Sequence, residues 1–147
     1  GQPSGLIASI AARIPSDVQV ILSLEDKSLR NQYPVSWKII NEPERGIHSI
    51  IFNSRAVLSS GDSMAREGAM LGVPSIYCGH REMVANKLLI EKGMLWHVDV
   101  NEVPTLILQL WEGKIILKSS EKFREELLIN WDNVNEFILK TIEEDVK

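Results

Sequence analysis

The sequence predicts an α/β fold, a doubly wound parallel sheet of about five strands with helices on both faces. Three observations predict it. Short apolar runs rich in β-branched residues, such as Val18 to Leu24, alternate with amphipathic stretches of helical period. Glycine and proline punctuate the change from one to the next, as at Gly72-Val73-Pro74 and Gly93. The composition, 44% hydrophobic and 24% charged, belongs to a chain with a sizeable core. At 147 residues it reads as one domain, 1–147.

Ser4 is suited to cap a first helix with Leu6, Ile7, Ile10, Ala11 and Ile14 on one face. Pro15-Ser16-Asp17 ends it. Val18 to Leu24 then reads as a strand buried on both faces. Ser28 to Tyr33 fit a short helix stopped by Pro34, and Val35 to Ile40 a second strand with Trp37 and Ile39 on one face. Asn41 to Gly46 is a loop. Ile47, Ile50 and Ile51 mark one face of a short helix leading into the strand Ala56 to Leu58.

Met64 to Leu71 is the next helix and Ser75 to Cys78 the next strand. After the loop Gly79 to Glu82, a helix from Met83 to Lys92 is stopped by Gly93. Met94 to Val98 is a further strand. Asn101 is expected to cap a helix carrying Val103, Leu106, Ile107 and Leu110. Residues 120–147 are helical, with Asp132 capping a final helix that aligns Val134, Phe137, Ile138 and Ile142. These C-terminal apolar residues, with Leu127, Leu128 and Trp131, suit a partner surface, though core packing is the commoner role. Helices at both ends, and the start Gly1-Gln2-Pro3-Ser4, suggest the edge of a longer chain.

Several function classes are excluded early. A net charge of −4 argues against general nucleic-acid binding. No apolar run is long enough for a transmembrane segment and no signal peptide opens the chain, so a soluble cytoplasmic protein is expected. The single cysteine, Cys78, has no internal disulfide partner. His48, His80 and His97 are too scattered for a metal site. There is no GxGxxG, no GxxxxGK[ST] and no G-x-S-x-G nucleophile elbow.

One stretch carries chemistry, Ser59 to Cys78. A strand runs into Ser59, Ser60, Gly61, Asp62 and Ser63, and a helix begins at once. There, backbone N–H groups and the positive end of the helix dipole converge on open space, which suits an anion. Open α/β sheets bind ligands at such a carboxyl edge. Gly61 permits close backbone approach, and Ser63 both caps a helix and reaches a phosphate. Glu67, one turn in, can accept two vicinal hydroxyl protons. The bland reading is a tight turn, with Glu67 complementing the dipole and Gly68 allowing helix–sheet contact. Arg66 reads as a surface or salt-bridged residue, and Lys87 as a solvated helix residue. His80 and Arg81 fall in the loop after the next strand, where ligand loops lie. His48 and His97 read as structural.

From Ala56 to His97 the sequence resembles the C-terminal half of an archaeal and bacterial domain-of-unknown-function family. That family is related to GT-B glycosyltransferases and UDP-N-acetylglucosamine 2-epimerases. The resemblance rests on Met64-Ala65-Arg66-Glu67-Gly68-Ala69-Met70-Leu71-Gly72-Val73-Pro74. It continues in Lys87-Leu88-Leu89-Ile90-Glu91-Lys92-Gly93 and the strand ending at His97. It implies a Rossmann-like GT-B C-terminal domain. It places the diphosphate on Ser60, Gly61, Asp62 and Ser63, with the helix beginning at Met64, and the ribose near Glu67. Asp62 departs from the small residue often found there, and its carboxylate repels a diphosphate unless it turns away or shares a metal.

The expected function is binding of a nucleotide sugar, UDP-linked, as substrate of a glycosyltransferase or sugar-nucleotide epimerase. Ser60, Gly61, Ser63, Met64, Glu67, His80 and Arg81 form the site, with no metal and no separate cofactor. The missing N-terminal domain supplies the acceptor and catalytic residues, so the isolated chain is expected to be inactive. Association into a homo-oligomer stays open. The alternative is a non-catalytic α/β interaction module without a nucleotide site.

Overall fold

The architecture, taken from a computed structural model, is described for residues 9–24, 26–40, 45–117 and 119–145. Strand β1 (Ile21–Leu22) pairs in parallel with β2 (Lys38–Ile39), and a 3-10 helix, Lys27–Gln32, lies between them in sequence. A second parallel sheet has the order β3 (Val57–Ser59), β4 (Ser75–Tyr77), β5 (Leu95–His97). Helix α1 (Ile47–Phe52) leads into β3. Parallel neighbours need a crossover, supplied by α2 (Asp62–Met70) and α3 (Val84–Glu91). Helices α4 (Val103–Trp111), α5 (Ser120–Asn130) and α6 (Val134–Asp145) follow.

Side-chain alternation along β4 divides the core into two layers. Tyr77 packs with Ala65 and Ala69 of α2, Leu89 of α3, and Phe123 and Leu127 of α5. Ile76 points the other way, to Val103 and Leu106 of α4 and to Ile10. Helices therefore cover both faces of the three-stranded sheet. Helix α2 lies close to it because Gly68 has no side chain. A Cβ there would meet Ser75 Oγ at 2.5 Å and Val57 Cγ2 at 3.0 Å. Gly72 (φ 77°) and Gly93 (φ 72°) end α2 and α3 as the sequence suggests, in a conformation that favours glycine.

The strands do not form the single five-stranded sheet that the sequence suggests. The edges of β1 and β3 face each other across a cavity of about 940 Å³. Val18, Val20, Trp37, Leu58, Ile107 and Trp111 help to wall it. Without a partner strand on that side, the run Val18 to Leu24 shortens to Ile21–Leu22, and Ile21 is 43% exposed. The expected burial on both faces is not found. Val35 to Ile40 likewise shortens to two residues, with Ile39 exposed and Trp37 half-buried.

Three helix starts also differ from expectation. Helix α2 begins at Asp62, two residues before Met64, with Gly61 rather than Ser63 at the cap position. Asn101 does not cap α4. It donates through backbone and side chain to Asp99 Oδ1, at 2.9 and 2.7 Å, and Glu102 takes the cap position. At α6 the side chain of Asn133, not Asp132, accepts the Asn135 N–H at 3.1 Å. Ser4, Leu6, Ile7 and residues 41–44 lie outside the described residues.

The last helices pack less than expected. Leu127 is buried, but Leu128, Val134, Phe137, Ile138 and Ile142 are all exposed. Among the described residues no helix is long and apolar enough to cross a membrane.

Candidate functional site

The loops after β3 and β4 meet at the carboxyl end of the sheet. Ser59 shapes the first: its hydroxyl accepts the Gly61 N–H at 3.0 Å and donates to the Gly61 carbonyl at 2.9 Å. Gly79 locks the second against it, since a Cβ there would come within 2.4 Å of the Ser60 carbonyl oxygen. His97 Nε2 donates to the Gly79 carbonyl at 2.8 Å, and its ring lies 4.5 Å from that of Tyr77. Its role is structural. The Tyr77 hydroxyl in turn accepts the Arg81 N–H at 3.0 Å.

The head of α2 rises from this platform. Gly61 has φ −94°, and no side chain caps the helix. The first-turn N–H groups of Asp62, Ser63 and Met64 have no intrahelical acceptor and face the space beyond β3. Gly61 is not demanded by the fold. Its φ suits any residue, and an added Cβ would meet only Ser59 Oγ, at an ordinary 3.5 Å. Ser60, Gly61 and Ser63 are exposed, and Met64 is half-buried.

Charge is arranged on the two flanks of α2. On one, the Asp62 carboxylate, 16% exposed, lies 3.5 Å from Arg66 and 3.9 Å from Arg81. Two guanidiniums facing one carboxylate leave the cluster positive overall, which offsets the repulsion that Asp62 would exert on an anion. On the other flank Glu67 Oε2 stands 3.0 Å from His48 Nε2. Ser63 and Glu67 are four residues apart and share that stripe of the helix.

The structure therefore brings Ser60, Gly61, Ser63, Met64 and Arg81 together at one helix end, with Glu67 one turn further along. His80 is exposed in the adjoining loop, and Lys87 is exposed on α3. Arg66, read from sequence as salt-bridged, is so. Asn86 was not legible in the sequence. It is 2% exposed, its Oδ1 accepts from Arg66 at 3.3 Å, and its Nδ2 has no partner. An asparagine early in a helix carries no spacing signal that separates it from a surface residue. Among the described residues no cluster of His, Cys, Asp or Glu could hold a metal ion. None of the expected site residues lines the cavity between the sheets.

Fold and site define an α/β parallel-sheet protein with an uncapped helix start at its carboxyl edge. The chain belongs to the family described as protein of unknown function (DUF354), whose sequence model matches residues 6–146. It is similar to an uncharacterised protein of Methanocaldococcus jannaschii, 28% identical over 100 residues, or 67% of this chain and 29% of that relative. The match thus spans less than a third of the relative's length. No solved structure matches the chain.

Proposed function

We propose that the chain is the donor-binding, C-terminal half of a glycosyltransferase or sugar-nucleotide epimerase of the GT-B type, and that it takes a UDP-linked sugar. The observation that carries the reading is the uncapped start of α2 at Gly61, a glycine for which the fold gives no steric reason. A close backbone approach by a ligand gives one. The diphosphate sits on Ser60, Gly61 and Ser63 and on the first-turn N–H groups, favoured by the helix dipole. Glu67, steadied by His48, accepts the ribose hydroxyl protons. Arg81 adds positive charge, and His80 flanks the base or sugar. Catalytic groups and acceptor come from a second domain. The two small sheets suit one doubly wound sheet, since β1 and β3 face each other across the cavity.

A second reading, a non-catalytic interaction module, is favoured by the exposed stripe Val134, Phe137, Ile138 and Ile142 on α6. Calorimetry with UDP and GDP on the full-length protein separates the two. A dissociation constant between about 1 mM and 10 µM for one nucleotide supports the donor site. No binding of any nucleotide leaves the module.

A further inference from the structure

The gap between the first turns of α2 and α3 holds donors that the α2 turn alone does not use. Asn86 is the third residue of α3 and is 2% exposed. Its Oδ1 accepts from Arg66 Nη1 at 3.3 Å, and that nitrogen stands 3.5 Å from Asp62 Oδ2 at the head of α2. The amide thus sits across the gap from the anion-favouring turn. Its Nδ2 is buried and finds no acceptor. Native chains seldom leave such a donor unmet, so an occupant that completes it is called for.

The surroundings favour an anionic occupant. Met83 gives α3 no side-chain cap, and the first turn of α3 has no acid. The positive end of that helix is therefore unopposed by its own residues. Arg66 and Arg81 outnumber the one carboxylate between them, Asp62. Dipole, guanidiniums and idle amide all offer N–H bonds, and the gap lacks charged acceptor oxygens.

We propose that the α2–α3 gap is a second anion subsite. It takes the second phosphoryl group of a diphosphate whose first group rests on the α2 turn, and Asn86 Nδ2 donates to one of its oxygens. The inference rests on the donor-site reading above. Arg66, with its side chain 25% exposed, is the group that swings aside to admit the oxygen and then pairs with it.

The test titrates the ¹⁵N-labelled full chain with orthophosphate and, separately, pyrophosphate at fixed pH and ionic strength. Orthophosphate should shift only Gly61 to Met64. Pyrophosphate should bind about tenfold more tightly, as one charged hydrogen bond allows, and should also move the Asn86 side-chain resonances. N86L should remove that advantage and leave orthophosphate binding unchanged. Should N86L not fold, the Asn86 resonances of the unaltered chain decide alone. Equal affinity for the two anions, or unmoved Asn86 resonances, would overturn the subsite and leave the α2 turn standing. Water then completes the amide. Silence with both anions would overturn the subsite and the donor site together.

Discussion

Gly68 on α2 sits so close to Ser75 on β4 that a methyl group would come within 2.5 Å of the serine hydroxyl. This contact sets how deeply α2 lies on the sheet, and so where its N-terminus stands above Ser59. Gly68→Ala should therefore cost about 1–3 kcal/mol through overpacking, read from urea unfolding. Gly61→Ala meets no such obstacle and should change stability by no more than about 1 kcal/mol. It should nonetheless weaken UDP binding, because the methyl stands where the phosphate must approach the backbone. Opposite effects of two glycines seven residues apart would separate the structural glycine from the binding one.

Arg81 is 72% exposed and lies 3.9 Å from Asp62, so its ion pair adds little to stability. Arg81→Gln should leave the unfolding free energy within about 0.5 kcal/mol of the parent. Its affinity for pyrophosphate should fall about fivefold, with a shallower dependence on salt. Calorimetry at two ionic strengths checks both.

Glu67 is assigned to the ribose, and so Glu67→Gln should distinguish nucleotide from inorganic ligand. UDP affinity should drop about tenfold through loss of charged hydrogen bonds, while pyrophosphate affinity holds. An equal loss for both ligands would place Glu67 in support of the helix end instead.

Away from the site, the Ser28 hydroxyl, and then the Ser28 N–H at 2.9 Å, hold the Asp26 carboxyl below its usual range. A depressed carboxyl contributes stability that is present above its unfolded pKa and is lost as pH falls through the folded value. Acidification below the ordinary aspartate range should therefore loosen the 3-10 helix Lys27–Gln32 that Asp26 caps. The Ser28 amide shift, followed against pH, reads this directly. Ser28→Ala should move the transition to higher pH.

The segment from β3 to β5 was legible almost to the residue, because apolar runs there are bounded by Gly72, Pro74 and Gly93. The helix caps were not. Asn101, Asp132 and Ser63 each have a capping side chain, but neighbouring polar groups compete for the same N–H donors, and sequence alone does not rank them. The first two strands were overextended because β-branched composition reports a capacity for burial. Whether Ile21 is buried depends on a neighbour beyond it. At the site, the turn was visible as a run of small residues. The Asp62 pairing with Arg66 and Arg81, and the place of Asn86, follow from how α2 and α3 sit side by side.

The central claim is that the α2 turn receives a nucleotide diphosphate. The most direct measurement is an amide NMR titration of the chain, and of the full-length protein, with UDP, UDP-N-acetylglucosamine, GDP and free phosphate. The account predicts shifts concentrated at Gly61 to Glu67 and at His80 and Arg81, with one nucleotide preferred. No shift at those residues in the full-length protein at millimolar ligand would contradict it.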